Sequence, residues 1–290
     1  MRIVYHLGAH CTDDERLLRC LLKNRARLAA EGIVVPGPAR YRTLLRDTAT
    51  QLRGQAADGD AQAMLLDQII AEDRADRLIL SWDSFLGYAQ GAAGVGLYTA
   101  AARRLLGFTR IFPDIAAEFH LAIRNPATLL PTLRARLTSR GVEAALDDVD
   151  PFALRWSELV ARLRDAVPDA PFTVWCDEDT PLLWPEILRH VAGHSPGLVL
   201  EDTSDLLAAI LTPEGMRRLE NYLAANPPAN DARRRRIVAY FLSRFARSEA
   251  VEQAIDMPGW DDATVAALTE AYDRDVIALT RMAGVTVLVP

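Results

Sequence analysis

The chain has 290 residues, half of them hydrophobic and a quarter charged, with a formal net charge of -6. That balance describes a globular protein with enough chain for a sizeable core, and it excludes broad electrostatic binding of nucleic acid. No apolar run approaches the roughly 20 residues of a membrane-spanning helix, so no membrane partner is expected.

In chain order, residues 2–7 (RIVYHL) read as a strand, and apolar positions at Leu17, Leu18, Leu21, Leu22 and Leu28 predict a helix over 14–31 that stops at Gly32. Residues 43–75 read as helical with a break at ADGD. A buried-type strand follows at 77–82 (RLILSW), then a glycine-rich loop and a helix at 97–108. EFHLAI (118–123) is a third strand, followed at once by a helix that ends at Gly141. A helix at 157–167 and a strand at 172–176 (FTVWC) come next. From Trp184 onward the pattern is helical near 184–192, 203–225, 232–248 and 261–283, and the tail GVTVLVP reads as a last short strand or an extended end. Strands separated by helices imply a three-layer α/β/α arrangement with a mainly parallel sheet. No linker divides it, so residues 1–290 are expected to form a single domain, with 184–290 mostly a helical extension.

The opening MRIVYHLG lacks a secretory h-region, which makes a cytoplasmic location the expectation. The three cysteines, Cys11, Cys20 and Cys176, form no CxxC pair and fit a reducing compartment.

Residues 5–18, YHLGAHCTDDERLL, have the strand–turn–helix layout of a phosphate-cradling loop. Gly8 permits the tight turn and Thr12 offers a hydroxyl. Asp13, Asp14 and Glu15 oppose an anion, and Thr12, Asp13 or Asp14 would serve instead to cap the helix. Arg124 leaves the third strand at the sheet's C-terminal edge, where doubly wound proteins bind ligands, and Thr132 follows it on the next helix. For Arg124 a phosphate contact and a structural ion pair stand as equal readings. Asp83 follows the second strand and has the position of a general base or of a turn residue. His6, His10 and Cys11 lie close together but have no distant ligand pattern, so no metal site is expected. Cys11 at a helix start has its acidity opposed by the neighbouring carboxylates. His190 and His194 flank a helix end as caps, and Arg233–Arg236 read as a solvated helix face.

Taken together, these segments resemble the bacterial sulfotransferase-like branch of the P-loop nucleoside triphosphate hydrolase fold. HLGAHCTDDER matches that family's first loop at His6, Gly8 and Thr12. Cys11 stands where the family has lysine, Asp13 where it has glycine, and Asp14 and Glu15 where it has hydroxyl residues. AIRNPATLLPT matches its second motif, with Arg124 and Pro126 in place and Thr132 for a serine. LILSWDSFLG and AYDRDVIALTRMAGVTVLVP also look like family segments. The resemblance implies a sulfate donor, 3′-phosphoadenosine 5′-phosphosulfate. Gly8, His10, Cys11 and Thr12 would lie at its 5′ end, Arg124 and Thr132 at its 3′-phosphate, and Asp83 would be the base. The replaced loop residues imply weakened or lost sulfuryl transfer. The alternative is a non-catalytic descendant that binds a small molecule or a protein, and the acidic turn would suit a cationic ligand.

Overall fold

A computed structural model of the chain describes residues 1–142, 146–251, 255 and 257–290. The first half runs β1 (Arg2–His6), α1 (Arg16–Lys23), α2 (Arg25–Ala30), β2 (Ile33–Val34), α3 (Arg42–Leu52), α4 (Gly59–Ile69), β3 (Arg77–Ser81), α5 (Ala101–Thr109), β4 (Ala116–Ile123) and α6 (Pro126–Thr138). The second half runs α7 (Trp156–Ala166), β5 (Phe172–Cys176), α8 (Thr180–Ala192), α9 (Asp205–Ile210), α10 (Pro213–Ala225), α11 (Asp231–Phe245), α12 (Ser248–Val251), α13 (Asp262–Thr280) and β6 (Val285–Leu288). The six strands form one parallel sheet in the order β2-β3-β1-β4-β5-β6. With helices on both faces this is the expected three-layer α/β/α fold.

Strand alternation decides which core each side chain joins. Ile3 and Tyr5 point to one face, where Leu80, Phe119 and Phe172 pack with Leu105 of α5, Leu133 of α6 and Leu159 of α7. Val4 points to the other, where Ile79, Ala122 and Trp175 meet Leu17 and Leu21 of α1 and Ile187 and Val191 of α8. The helical region 184–290 divides in the same way. Helix α8 packs on the sheet, α13 lies against α6 and α7, and β6 extends the sheet beyond β5. A small separate cluster joins α9, α10 and α11 through Leu207, Leu219, Val238 and Phe241. Among the described residues no helix is long and apolar enough to cross a membrane.

Three predicted helices differ from those observed. The predicted helix over 14–31 starts at Arg16 and is broken at Asn24. The Asn24 amide donates to the carbonyls of Cys20 (2.9 Å) and Glu201 (3.0 Å) and accepts from the Glu201 amide (2.7 Å), so a distant segment splits the helix. The predicted helix over 203–225 is two helices, because Pro213 opens a new one behind a Thr212 cap. The predicted helix over 97–108 starts only at Ala101, since Tyr98 takes a left-handed backbone with φ 44°. His190 and His194 do not close α8. Gly193, in the left-handed region, does so by donating to the Arg189 carbonyl at 2.7 Å.

Candidate functional site

The chain leaves β1, builds β2 and β3 on one side, and then crosses to β4 on the other. Such a reversal opens a crevice beyond the C-terminal end of the central strand, where α/β sheets hold ligands. The loop of residues 7–15 fills it. Its entry is pinned by hydrogen bonds from the Leu7 amide to the His120 carbonyl (2.8 Å) and from the Ala122 amide to the Gly8 carbonyl (3.2 Å). Gly8 has φ 70°, and a Cβ there would stand 3.2 Å from the Asp83 Cα, so a side chain would meet both strain and backbone.

A phosphate loop turns its backbone N–H groups toward the anion, whereas here several of them are engaged by the protein itself. The Asp13 carboxylate accepts from the amides of Glu15 (3.2 Å) and Leu17 (3.0 Å), and the Arg16 amide donates to the Asp13 carbonyl (3.0 Å). Asp13 is thus the residue that closes the N-terminus of α1, even though Asp14 and Glu15, both at positive φ, lie between it and the helix. The His10 amide donates to the Tyr98 hydroxyl at 3.0 Å, and Thr12 Oγ1 donates to the Ala9 carbonyl at 2.8 Å.

A cavity of about 240 Å³ opens between this loop and the end of β3. Gly8, Cys11, Thr12 and Asp83 line it, as do Arg42 and Arg136, which sequence reasoning missed. Four carboxylates (Asp13, Asp14, Glu15 and Asp83) face two guanidiniums across it. Arg42 pairs with Glu15 at 2.6 Å and donates to the Ser81 carbonyl at 2.9 and 3.2 Å. Asp83 Oδ2 lies 4.0 Å from Arg136 and 3.6 Å from His10 Nε2.

His10 sits behind the cavity wall. The Tyr98 hydroxyl accepts from the His10 amide and shares a hydrogen bond with His10 Nδ1 at 2.9 Å, which leaves Nε2 facing Asp83. Burial holds His10 below the usual histidine range, against the pull of Asp83. It lowers His6 in the same way, and His6 Nδ1 shares a hydrogen bond with Ser81 Oγ at 2.8 Å. The Cys11 thiol is raised, chiefly by burial, with Arg136 and Arg124 working in the opposite sense and Asp14 adding least. It is therefore a poor nucleophile.

Arg124 and Thr132 lie apart from this cavity. Arg124 donates to the carbonyl of Cys11 and to Thr128 Oγ1 (3.1 Å), so its fork braces the loop and α6. Thr132 donates to the Thr128 carbonyl at 2.8 Å, and it is Thr128 that meets Arg124. Spacing held a clue to Arg136, since it stands four residues after Thr132 on α6 and so shares a helix face with it. Arg42 and Tyr98 come from remote segments, and no motif marks them.

A larger cavity, about 660 Å³, lies on the other side of the loop, toward α8, α9 and α11. Thr12 and Asp13 wall both cavities, and Arg124, Asp177 and Thr180 form the polar end of this one. Asp177 follows β5 directly, as Asp83 follows β3 at one residue's remove. Burial pushes its carboxyl up to about 7; Arg124 opposes the rise, and Glu178, Asp13 and Asp14 add to it. Among the described residues no group of three or more His, Cys, Asp or Glu side chains is placed to hold a metal ion. No protein-family model, no curated protein and no solved structure matches the chain.

Proposed function

We propose that this chain is a sulfotransferase-like scaffold in which sulfuryl transfer has been lost and the crevice beside the first loop serves ligand binding. The observation that carries the reading is the Asp13 carboxylate on the amides of Glu15 and Leu17, the place at a helix N-terminus that a donor phosphate would take. Charge argues in the same direction. A phosphate beside four carboxylates and two guanidiniums meets net repulsion, about 4 kcal/mol per unit charge pair at 4 Å in a partly screened site. No lysine is available in the loop to offset it. Arg124, the expected 3′-phosphate ligand, instead grips the loop carbonyl of Cys11.

Calorimetric titration with 3′-phosphoadenosine 5′-phosphate tests this reading. We expect no saturable heat up to millimolar nucleotide, and micromolar binding would overturn it. Replacing the loop residues together (Cys11→Lys, Asp13→Gly, Asp14→Thr, Glu15→Thr) should create nucleotide binding if the scaffold is of that descent. One observation favours a second reading, residual transferase activity: the Tyr98–His10–Asp83 alignment, which would support Asp83 as a base toward an acceptor hydroxyl. Sulfuryl transfer that Asp83→Asn abolishes would establish it.

A further inference from the structure

The larger cavity has a chemical character that the loop does not share. Its volume, about 660 Å³, lies in the range of small-molecule sites. One end is polar, with Arg124, Asp177 and Thr180, and the other is an apolar wall that includes Trp184, Leu206 and Leu242. Thr180 is only 5% exposed, and its Oγ1 has no hydrogen-bond partner among the described residues. A buried hydroxyl left unmatched is a standing cost that a bound donor or acceptor would relieve.

The acidic groups at this end are not equivalent. Glu178 accepts from the Asn125 amide (2.8 Å) and the Tyr272 hydroxyl (3.2 Å), and Asp13 is engaged by the helix. Among the described residues the Asp177 carboxyl takes part in no hydrogen bond. Three carboxylates (Asp13, Asp177 and Glu178) outnumber Arg16 and Arg124 on the lining, and Arg124 is bonded to the loop. An anion would therefore be repelled where a cation would be held.

We propose that this cavity binds a small organic amine, its ammonium group on Asp177 beside the Thr180 hydroxyl and its apolar body on Trp184, Leu206 and Leu242. The inference rests on the reading above in one respect, that a nucleotide donor does not occupy this end of the loop.

The test is calorimetric titration of the full chain with three probes of matched shape: 2-phenylethylamine, 2-phenylethanol and 3-phenylpropionate. At pH 8 the amine should bind about tenfold or more tightly than the alcohol, a margin of about 1.4 kcal/mol, and the acid should not bind. Asp177→Asn should remove that margin, and Thr180→Val should weaken the amine by a smaller factor. The groups facing Asp177 are Arg124, Glu178, Asp13 and Asp14, with Arg16 on the same lining. Because burial, with Glu178, Asp13 and Asp14 adding and Arg124 opposing, puts its titration near 7, lowering the pH from 8 to 6 should weaken the amine, which stays charged throughout, and leave the alcohol unchanged.

Equal binding of amine and alcohol, or amine binding unaffected by Asp177→Asn in a variant that melts as cooperatively as the parent, overturns the proposal. So does preferential binding of the acid. A nucleotide arm separates the two readings. If 3′-phosphoadenosine 5′-phosphate binds and the amine still binds beside it, the proposed function fails while the amine site stands; if the nucleotide displaces the amine, both fail. If neither binds, only the amine proposal fails.

Discussion

The loop of residues 7–15 separates two cavities with opposite histories of satisfaction. On the β3 side the polar groups are largely engaged by the protein itself: Arg42 on Glu15, Asp13 on the helix amides, and Asp83 within 4.0 Å of both His10 and Arg136. On the α8 side a larger space keeps a carboxyl and a buried hydroxyl without hydrogen-bond partners among the described residues. Thr12 and Asp13 belong to both walls, so one loop conformation fixes both outcomes. A helix N-terminus can be closed by its own carboxylate while the neighbouring strand end keeps polar groups with no hydrogen-bond partner among the described residues.

The largest effect is expected where the loop meets the smaller cavity. Gly8→Val places a branched side chain at φ 70° and against the Asp83 backbone. The left-handed conformation and the overpacking together should cost roughly 2–4 kcal/mol, read from urea unfolding. An unchanged midpoint would mean that the loop re-forms, and the shared-wall account would fall. Next comes Arg124, which faces the larger cavity but grips the wall of the smaller one. Arg124→Ala should cost about 1.5–3 kcal/mol, and Arg124→Lys should recover only part, because the fork reaching both Cys11 and Thr128 is lost. Full recovery by lysine would show that charge, not geometry, holds the loop.

The fold was legible because the central strands are buried on both faces and read as apolar runs; FTVWC at 172–176 reads as a strand with its observed bounds. The helix break at Asn24 was not, since it depends on a segment 177 residues away. At the site, Gly8, Cys11, Thr12 and Asp83 could be named because strand ends and turns mark them. Arg124 could be placed at the sheet edge but not assigned a partner, because a backbone carbonyl leaves no trace in sequence. Asp177 obeys the strand-end rule that points to Asp83 and Arg124, but no motif or turn signal singles it out from Glu178 and Asp179 beside it.

Asp177 offers a pH test of the contrast. Its carboxyl titrates near 7 in the folded chain and near 3.8 when unfolded, so between about pH 4 and 7 the folded state holds the extra proton. Stability should therefore fall as pH rises through that window and level off above it. Asp177→Asn removes the buried charge. It should stabilise the protein at pH 8 by roughly 1–2 kcal/mol, allowing for the group's partial exposure, and change little at pH 4. Thermal melts at the two pH values check this, and equal shifts at both would show that the carboxyl does not titrate there.

The smallest effect separates the two ways in which Asp13 closes α1. Its oxygens accept from Glu15 and Leu17, and its charge lies at the positive end of the helix dipole. Asp13→Ala removes both contributions and should cost about 1 kcal/mol, the usual worth of a capping side chain. Asp13→Asn keeps one acceptor oxygen and removes the charge, for which the dipole accounts for only about 0.3–1 kcal/mol. In urea unfolding at pH 7 the asparagine variant should fall between the parent and the alanine variant. If asparagine costs as much as alanine, charge is what closes the helix, and an inorganic anion such as sulfate should then stabilise Asp13→Ala where it leaves the parent unchanged. If asparagine matches the parent, the hydrogen bonds suffice, and the negative charge of Asp13 acts chiefly on what the two cavities will admit.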